Sequence, residues 1–140
     1  YKASAAVVTG IRGNDVQIGF EILAPVIAQI RSNAVKALAI GSAKRFSGLP
    51  NTPTMQESGV SGYLASSWNG ISISAKVPRP IVERLNREIV AAINTAEVRQ
   101  RMLELGVDPR PSTIEEMRDL MAADIAKWKA VIETAKIERQ

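Results

Sequence analysis

Residues 1–21 decide the fold, and they read YKASAAVVTGIRGNDVQIGFE. A short polar turn leads into the apolar segment Ala5–Ile11, which predicts a helix. The turn Arg12–Asn14 then leads into the alternating run Val16–Phe20, which predicts a strand that ends at the carboxylate of Glu21. A helix followed directly by a strand indicates an α/β arrangement.

The turn before this first helix is a candidate anion site. Backbone N–H groups at the start of a helix lack intrahelical partners, and the positive end of the helix dipole lies behind them. Small side chains let a ligand approach the backbone here, and Ser4 adds a hydroxyl. We therefore predict that Ser4, Ala5 and Ala6 hold a carboxylate or a phosphate, the alternative being an ordinary helix cap. The turn contains no glycine, which excludes a P-loop or a dinucleotide fingerprint.

The alternation of helices and strands continues to about residue 74. The pattern predicts a helix over 25–31, a buried strand over 36–40 and, after the long loop 42–62, extended chain over 64–74. Strands that alternate with helices imply right-handed crossovers and a mainly parallel sheet. A loop of this length inside a compact domain is usually functional or connects two lobes.

From Pro80 onward the pattern is helical. It predicts helices over 80–94, 96–105 and 113–136. The last helix carries apolar residues at steps of three and four, which form one stripe along its length. We expect this stripe to be buried. Its central residues are Met117, Met121, Ile125, Trp128 and Ile132.

The composition of the 140 residues is that of a globular protein, with 46% apolar and 23% charged residues. The sequence has neither cysteine nor histidine, which excludes a disulfide framework, thiolate or imidazole metal sites and a Ser-His-Asp triad. No metal site, cofactor or catalytic residue is predicted. The net charge of +4 is modest, and bases alternate with acids along the helices. This pattern favours solvated helix faces over a nucleic-acid surface.

Two residues outside the first turn are candidates for contacting a ligand. Glu21 follows a predicted strand, and open parallel sheets bind ligands beyond the carboxyl ends of their strands; the alternative is a solvated loop acid. Trp68 lies beside hydroxyl and amide side chains and could line a pocket, the alternative being core packing. Lys44 and Arg45 fit either a solvated edge or the rim of an anion site. No second acidic residue lies at a spacing from Glu21 that suits acid–base catalysis. The residues therefore indicate ligand binding and not catalysis.

Taken in order, segments along the whole chain resemble one family. They are similar to the C-terminal half of the extracytoplasmic solute receptors of tripartite tricarboxylate transporters, the Bug-type receptors. The segments that carry the resemblance are Tyr1–Ala5, Asn14–Glu21, Lys36–Ile40, Ser42–Arg45, Leu49–Thr54, Glu57–Gly59, Ser67–Gly70, Arg84–Asn86 and Trp128. Two positions depart from the family pattern. Ala3 replaces the usual glycine, and Glu21 replaces the usual aspartate with a longer side chain, which narrows the pocket.

The resemblance implies a periplasmic-binding-protein type II-like α/β fold, part of a two-lobed receptor with a helical C-terminal segment. Residues 1–64 would belong to the second lobe, and residues 65–140 would supply a crossover strand and helices that return to the first lobe. The implied function is that of a periplasmic receptor, not an enzyme. It would capture a small carboxylate and deliver it to membrane transporter subunits.

The same resemblance assigns roles to the candidate residues. The backbone N–H groups of Ser4, Ala5 and Ala6 would hold the ligand carboxylate, together with the Ser4 hydroxyl. Glu21 would organise waters or meet the far end of the ligand, and Trp68 would line the cleft. No nucleic acid is expected as a partner.

We expect this chain to be a fragment. The family's chains are longer and carry a further lobe, and this sequence begins at Tyr1 without a methionine. A fragment with uncovered sheet edges and apolar faces is expected to self-associate. Three alternatives stay open: the effector domain of a transcription regulator with the same architecture, an α/β enzyme that works without histidine or cysteine, and a fragment that binds nothing by itself.

Overall fold

The computed structural model describes residues 3–138 and contains five α-helices in that range. They are α1 (Ser4–Arg12), α2 (Leu23–Arg31), α3 (Arg79–Ile93), α4 (Ala96–Glu104) and α5 (Ile114–Thr134). The sequence pattern predicts each of them, with ends within about two residues of those observed. Within the described range, none of the helices combines the length and the apolar character needed to cross a membrane.

The helix ends are set by local signals. At the start of α5, Thr113 Oγ1 accepts a hydrogen bond from the Glu116 N–H at 3.0 Å, and the Glu116 carboxylate accepts one from the Thr113 N–H at 2.8 Å. These two reciprocal hydrogen bonds form a capping box. At the start of α4, Thr95 Oγ1 accepts from the Val98 N–H at 3.4 Å. Gly106 follows α4 in a left-handed conformation (φ +78°), which glycine adopts without a steric penalty.

The strands predicted over 16–20, 36–40 and 64–74 are not formed. Between residues 3 and 138, strand pairing is limited to one isolated parallel bridge, between Ile40 and Thr54. A strand requires a neighbour that pairs with its backbone N–H and C=O groups, and sequence periodicity does not supply that neighbour. The predicted parallel sheet is therefore absent from the part of the chain that the structure describes, and the α/β character of the fold is not confirmed.

The described residues form two compact units. The first runs up to Asn69 and includes Thr95–Pro109, so it contains α1, α2 and α4. The second comprises Gly70–Asn94 and the residues from Arg110 onward, so it contains α3 and α5. The predicted division of the chain between two lobes stays a prediction.

The core of the first unit lies where α1 packs against α2. Its buried apolar side chains come from both helices and from the loop beyond them. They are Val8, Val26, Ile27 and Phe46, each of which exposes 9% or less of its surface. Burial of one such side chain contributes about 1.5–3 kcal/mol. This cluster therefore fixes α1, the helix whose start carries the predicted anion site.

Arg31 and Gly106 join α4 to α2 within the same unit. Arg31 Nη1 donates to Glu104 O at 2.8 Å, and Arg31 Nη2 donates to Leu103 O at 3.2 Å, which satisfies two carbonyls at the end of α4. Gly106 lies directly on α2, since a Cβ there would come within 3.1 Å of Ala24 Cα. These contacts explain why the segment around α4 belongs to the first unit.

The loop 42–62 is held by an ion pair between Arg45 and Glu57. Arg45 Nε donates to Glu57 Oε2 at 2.9 Å, and the Thr54 N–H donates to the same oxygen at 2.7 Å. These two hydrogen bonds, from Arg45 first and Thr54 second, lower the pKa of Glu57 from 4.5 to about 2. Arg45 Nη1 also donates to Pro50 O at 3.0 Å. Arg45 therefore stabilises the loop. Because its guanidinium already donates to Glu57 and to Pro50 O, Arg45 is poorly placed to bind a ligand anion.

Acidification is expected to remove the contribution of Glu57 to stability between pH 4.5 and about pH 2. In this window the unfolded chain protonates Glu57 while the folded chain keeps it ionised, so the free energy of unfolding falls as the pH falls. Urea unfolding of the wild-type protein and of Glu57→Gln measures this effect. The stability difference between the two proteins should be full above pH 4.5 and shrink towards pH 2. A constant difference would show that the ion pair does not stabilise the loop.

In the second unit, α3 meets the start of α5. Arg79 Nε donates to Glu83 Oε1 at 2.7 Å, and Arg79 Nη2 donates to Glu115 Oε1 at 2.8 Å. Asn86 Nδ2 donates to Ser112 O at 3.1 Å. Glu115 and Ser112 lie in or just before the first turn of α5, so these contacts fix the beginning of that helix.

The predicted burial of the apolar stripe of α5 is wrong for the chain as described. Met117 is half-buried. The other four residues are exposed, with 44% of the surface accessible for Met121, 66% for Ile125, 40% for Trp128 and 37% for Ile132. Spacing assigns these residues to one face of the helix, but burial requires a second surface opposite that face. The hydrogen bonds and the ion pair from α3 described above reach only the start of α5.

Candidate ligand-binding site

The structure starts α1 at Ser4, within one residue of the predicted start. Ala3 is the N-cap in an extended conformation (φ −156°, ψ 150°), and no side chain caps the helix. The Ala6 N–H donates to Ala3 O at 3.0 Å, so this donor is used within the turn. The N–H groups of Ser4 and Ala5 come before the first possible helical bond. Within residues 3–138, the N–H groups of Ser4 and Ala5 therefore have no helical partner, whereas that of Ala6 does, and the role of Ser4 and Ala5 as ligand donors stays a prediction.

Glu21 lies directly at this helix start. The Ser4 hydroxyl donates a hydrogen bond to Glu21 Oε2 at 2.5 Å across 17 positions of sequence. The helix dipole favours a carboxylate at this place. The structure thus brings together two of the predicted site residues. Glu21 therefore accepts a hydrogen bond from the Ser4 hydroxyl, the group that was expected to hold the ligand. The resemblance had also allowed Glu21 to meet the far end of the ligand.

This arrangement offers hydrogen-bond donors and one carboxylate. The Ser4 hydroxyl has a single hydrogen, so it cannot donate to Glu21 and to a ligand carboxylate at once. A bound carboxylate has the N–H groups of Ser4 and Ala5 available to it, and the charge of Glu21 favours a ligand amine, a ligand hydroxyl or a water nearby. Within residues 3–138 no histidine, cysteine, aspartate or glutamate side chains gather in a group of three or more that could hold a metal ion.

Gly19 positions Glu21, and the sequence analysis missed it. A Cβ at Gly19 would lie 2.8 Å from Val7 Cγ1 and 3.1 Å from Ile11 Cδ1. The absence of a side chain therefore lets the segment before Glu21 lie close against α1, which brings Glu21 within reach of Ser4. A glycine inside an otherwise apolar extended run marks such a close approach, and this signal was present in the sequence.

Trp68 also lies in the first unit. Its segment is anchored by the Ala65 N–H, which donates to Gly41 O at 2.9 Å. The indole exposes 41% of its surface, so it is not a core residue of the described chain. The structure joins Ser4 to Glu21 by a direct hydrogen bond, and the role of Trp68 as a wall of the same site stays a prediction.

The backbone is similar to two solved structures. The structure of R. palustris Rpa4515 with adipate matches with a TM-score of 0.84 at 28% sequence identity, over 97% of this chain and 46% of that chain. The structure of the periplasmic binding protein BugD matches with a TM-score of 0.72 at 27% identity, over 100% of this chain and 48% of that chain. The fold is thus of the periplasmic-binding-protein class.

The sequence leads to one family within this class. The profile of the tripartite tricarboxylate transporter family receptor matches residues 1–137. The chain is 31% identical over 132 residues to protein BugT of Bordetella pertussis. The matched region covers 94% of this chain and 40% of BugT. It is 29% identical over 133 residues to the UPF0065 protein in the tcbD-tcbE intergenic region of Pseudomonas sp., over 94% of this chain and 40% of that protein. The chain belongs to this receptor family, which confirms the predicted relationship, and it spans less than half the length of these relatives.

Proposed function

We propose that the protein acts in a periplasmic solute receptor that captures a small carboxylate for the membrane subunits of a tripartite tricarboxylate-type transporter. Membership of the receptor family supports this proposal. The likeness to Rpa4515, a structure that contains adipate, supports a small dicarboxylate as the ligand class. The relatives described above give no support to a transcription regulator. In this proposal the protein holds its ligand and does not transform it.

The proposed architecture of the complete receptor has two α/β lobes of the periplasmic-binding-protein type II. Residues 1–64 belong to its second lobe, and residues 65–140 return to its first lobe apart from Thr95–Pro109, which packs in one unit with α1 and α2. The likeness to BugD, whose structure is about twice as long as this chain, supports this arrangement, because the chain covers 48% of it. Both lobes of such a receptor contribute to the ligand site, since ligands of two-domain proteins bind preferentially at the interface between domains.

The observation that carries the proposal is the start of α1, where no side chain caps the helix and the Ser4 hydroxyl bonds Glu21. In the proposed complex, the N–H groups of Ser4 and Ala5 donate to one carboxylate of the ligand. Each hydrogen bond to a charged group contributes about 1.5–3 kcal/mol. Glu21 accepts a hydrogen bond from a ligand donor or from a bound water, and Trp68 lines the cleft.

Replacing Glu21 with glutamine is expected to tighten adipate binding about 3- to 10-fold. The substitution removes a negative charge beside the ligand carboxylate and keeps an oxygen that accepts from the Ser4 hydroxyl. Isothermal titration calorimetry with adipate, on the wild-type protein and on Glu21→Gln, measures the change in Kd.

Asp15→Asn is the matched control for this experiment. Asp15 follows the other end of α1, where its N–H donates to Gly10 O at 2.9 Å, so the substitution removes the same charge far from Ser4. It should leave the Kd for adipate unchanged. An equal gain in the two variants would assign the effect to net charge and not to the site. A complete lack of binding heat in all three proteins would contradict capture of a small dicarboxylate by this chain.

A further inference from the structure

One asparagine of the chain precedes a glycine, at Asn69 and Gly70. A backbone nitrogen can attack the side-chain amide of the asparagine before it when the two groups come together. Glycine favours this attack, because without a Cβ its N–H approaches the amide carbon unhindered and its backbone adopts the conformation required. The pair therefore meets the local chemical requirement for an intramolecular reaction.

Four of the other asparagines precede an N–H group that is already hydrogen-bonded. Three of these N–H groups donate to backbone carbonyls at 2.9, 2.9 and 3.0 Å, and they belong to Asp15, Ala34 and Thr52, which follow Asn14, Asn33 and Asn51. Asn86 lies inside α3, where the next N–H is part of the helical ladder. The remaining one, Asn94, precedes the β-branched Thr95, whose side chain hinders the approach.

The N–H of Gly70 is not held in this way. Within residues 3–138, neither this N–H nor the Asn69 side chain takes part in a hydrogen bond. Asn69 ends the first stretch of the first unit, and Gly70 begins the second unit. The pair can therefore reach the reactive conformation without breaking a hydrogen bond, whereas the four protected asparagines require local opening first.

We propose that Asn69 is a site of spontaneous covalent modification, at which asparagine is converted to isoaspartate and aspartate. The Gly70 nitrogen bonds to the side-chain carbonyl carbon of Asn69, the bond from this carbon to the amide nitrogen breaks, and ammonia leaves with the proton of the Gly70 N–H. The product is a succinimide ring. Water then adds to a ring carbonyl and the ring C–N bond at that carbon breaks. Opening at the main-chain carbonyl gives isoaspartate, and opening at the side-chain carbonyl gives aspartate.

Both products place a new carboxylate directly after Trp68. The net charge of +4 falls by one. Isoaspartate also routes the main chain through the former side chain, which lengthens the backbone by a methylene group. In the proposed receptor, where Trp68 lines the cleft, the new carboxylate repels the ligand carboxylate and lowers the affinity. This consequence rests on the proposed function, whereas the modification itself does not.

Peptide mapping by mass spectrometry measures the modification at every asparagine of the folded protein, after incubation in mildly alkaline buffer. Conversion at Asn69 should be at least about tenfold faster than at Asn51, because the N–H after Asn51 is hydrogen-bonded. Isoaspartate should be the larger product, and labelling by an isoaspartyl methyltransferase detects it independently. Equal rates at Asn69 and Asn51, or aspartate as the sole product, would overturn the proposal.

Gly70→Ala tests the attacking residue. Among the described glycines, positive φ is found at Gly59, Gly62 and Gly106, so alanine suits the backbone at position 70. Its Cβ hinders the approach of the nitrogen and should slow conversion of Asn69 about tenfold. Asn51→Gln is the matched control and should leave the rate at Asn69 unchanged. An unchanged rate in Gly70→Ala would contradict the attack by this nitrogen.

Calorimetry with adipate, on freshly purified and on converted protein, separates the modification from the proposed function. Converted protein should bind adipate more weakly. Equal affinity of the two samples would contradict the place of Trp68 in the cleft, while the mass spectra alone decide whether Asn69 is modified. Equal circular dichroism of the two samples shows that the fold is retained.

Discussion

Ser4→Pro is expected to weaken binding of a small dicarboxylate about 10- to 100-fold, because it removes a backbone N–H that donates to the ligand carboxylate. The structure indicates that proline fits at this position, so the substitution changes little besides the backbone N–H. Ser4 is the first residue of α1, a position at which proline fits a helix. Ala3 before it is already extended (φ −156°, ψ 150°), as the residue before a proline prefers. The variant should therefore remove the donor without distorting the turn.

Ser4→Ala is the matched control for the proline variant. It removes the hydroxyl that bonds Glu21 and keeps the backbone N–H, so it should weaken binding far less than the proline substitution. Calorimetry with the same dicarboxylate on both variants compares the two losses, and circular dichroism checks that α1 is retained. Equal losses would mean that the hydroxyl carries recognition, and the proposed backbone mechanism would then be wrong.

The helices could be predicted from the sequence because their determinants are local. The Thr113 and Glu116 side chains cap the turn in which they lie, and Gly106 ends the helix that precedes it. Strands depend on partners that are distant along the chain. The run 16–20 has the alternation of a strand and yet forms none, since alternation describes one strand and pairing requires two. The apolar stripe of α5 shows the same limit, because spacing defines an apolar face without supplying the surface that covers it.

Sequence patterns propose residues for the candidate site but do not give the contacts between them. Small residues at a helix start and an acid after an extended run identify Ser4 and Glu21 separately. Their hydrogen bond depends on how closely the extended segment approaches α1, and this distance is set by Gly19. The use of the Ala6 N–H within its own turn depends in the same way on the exact start of the helix, which sequence patterns locate only to within one or two residues.

Gly41→Ala is expected to lower the free energy of unfolding by about 2–4 kcal/mol. A Cβ at Gly41 would clash with Ala65 O and would lie 3.5 Å from Tyr63 Cε1. The first of these contacts is with backbone, which cannot rotate away. Relief of the clash requires the chain at Ala65 to move, and this breaks the hydrogen bond from the Ala65 N–H to Gly41 O at 2.9 Å. Urea unfolding followed by circular dichroism measures the loss.

Gly59→Ala separates this packing effect from backbone strain. Gly59 has φ +96°, and a Cβ there would meet nothing within 4 Å. Alanine at position 59 would therefore adopt a strained left-handed backbone without a clash. We expect this strain to lower the free energy of unfolding by about 1 kcal/mol. The two variants add the same methyl group to the same unit, so the difference between them isolates the close approach at Gly41. If both lose the same stability, the segment that leads to Trp68 is not held against Gly41 in solution, and the anchoring of this segment would be wrong.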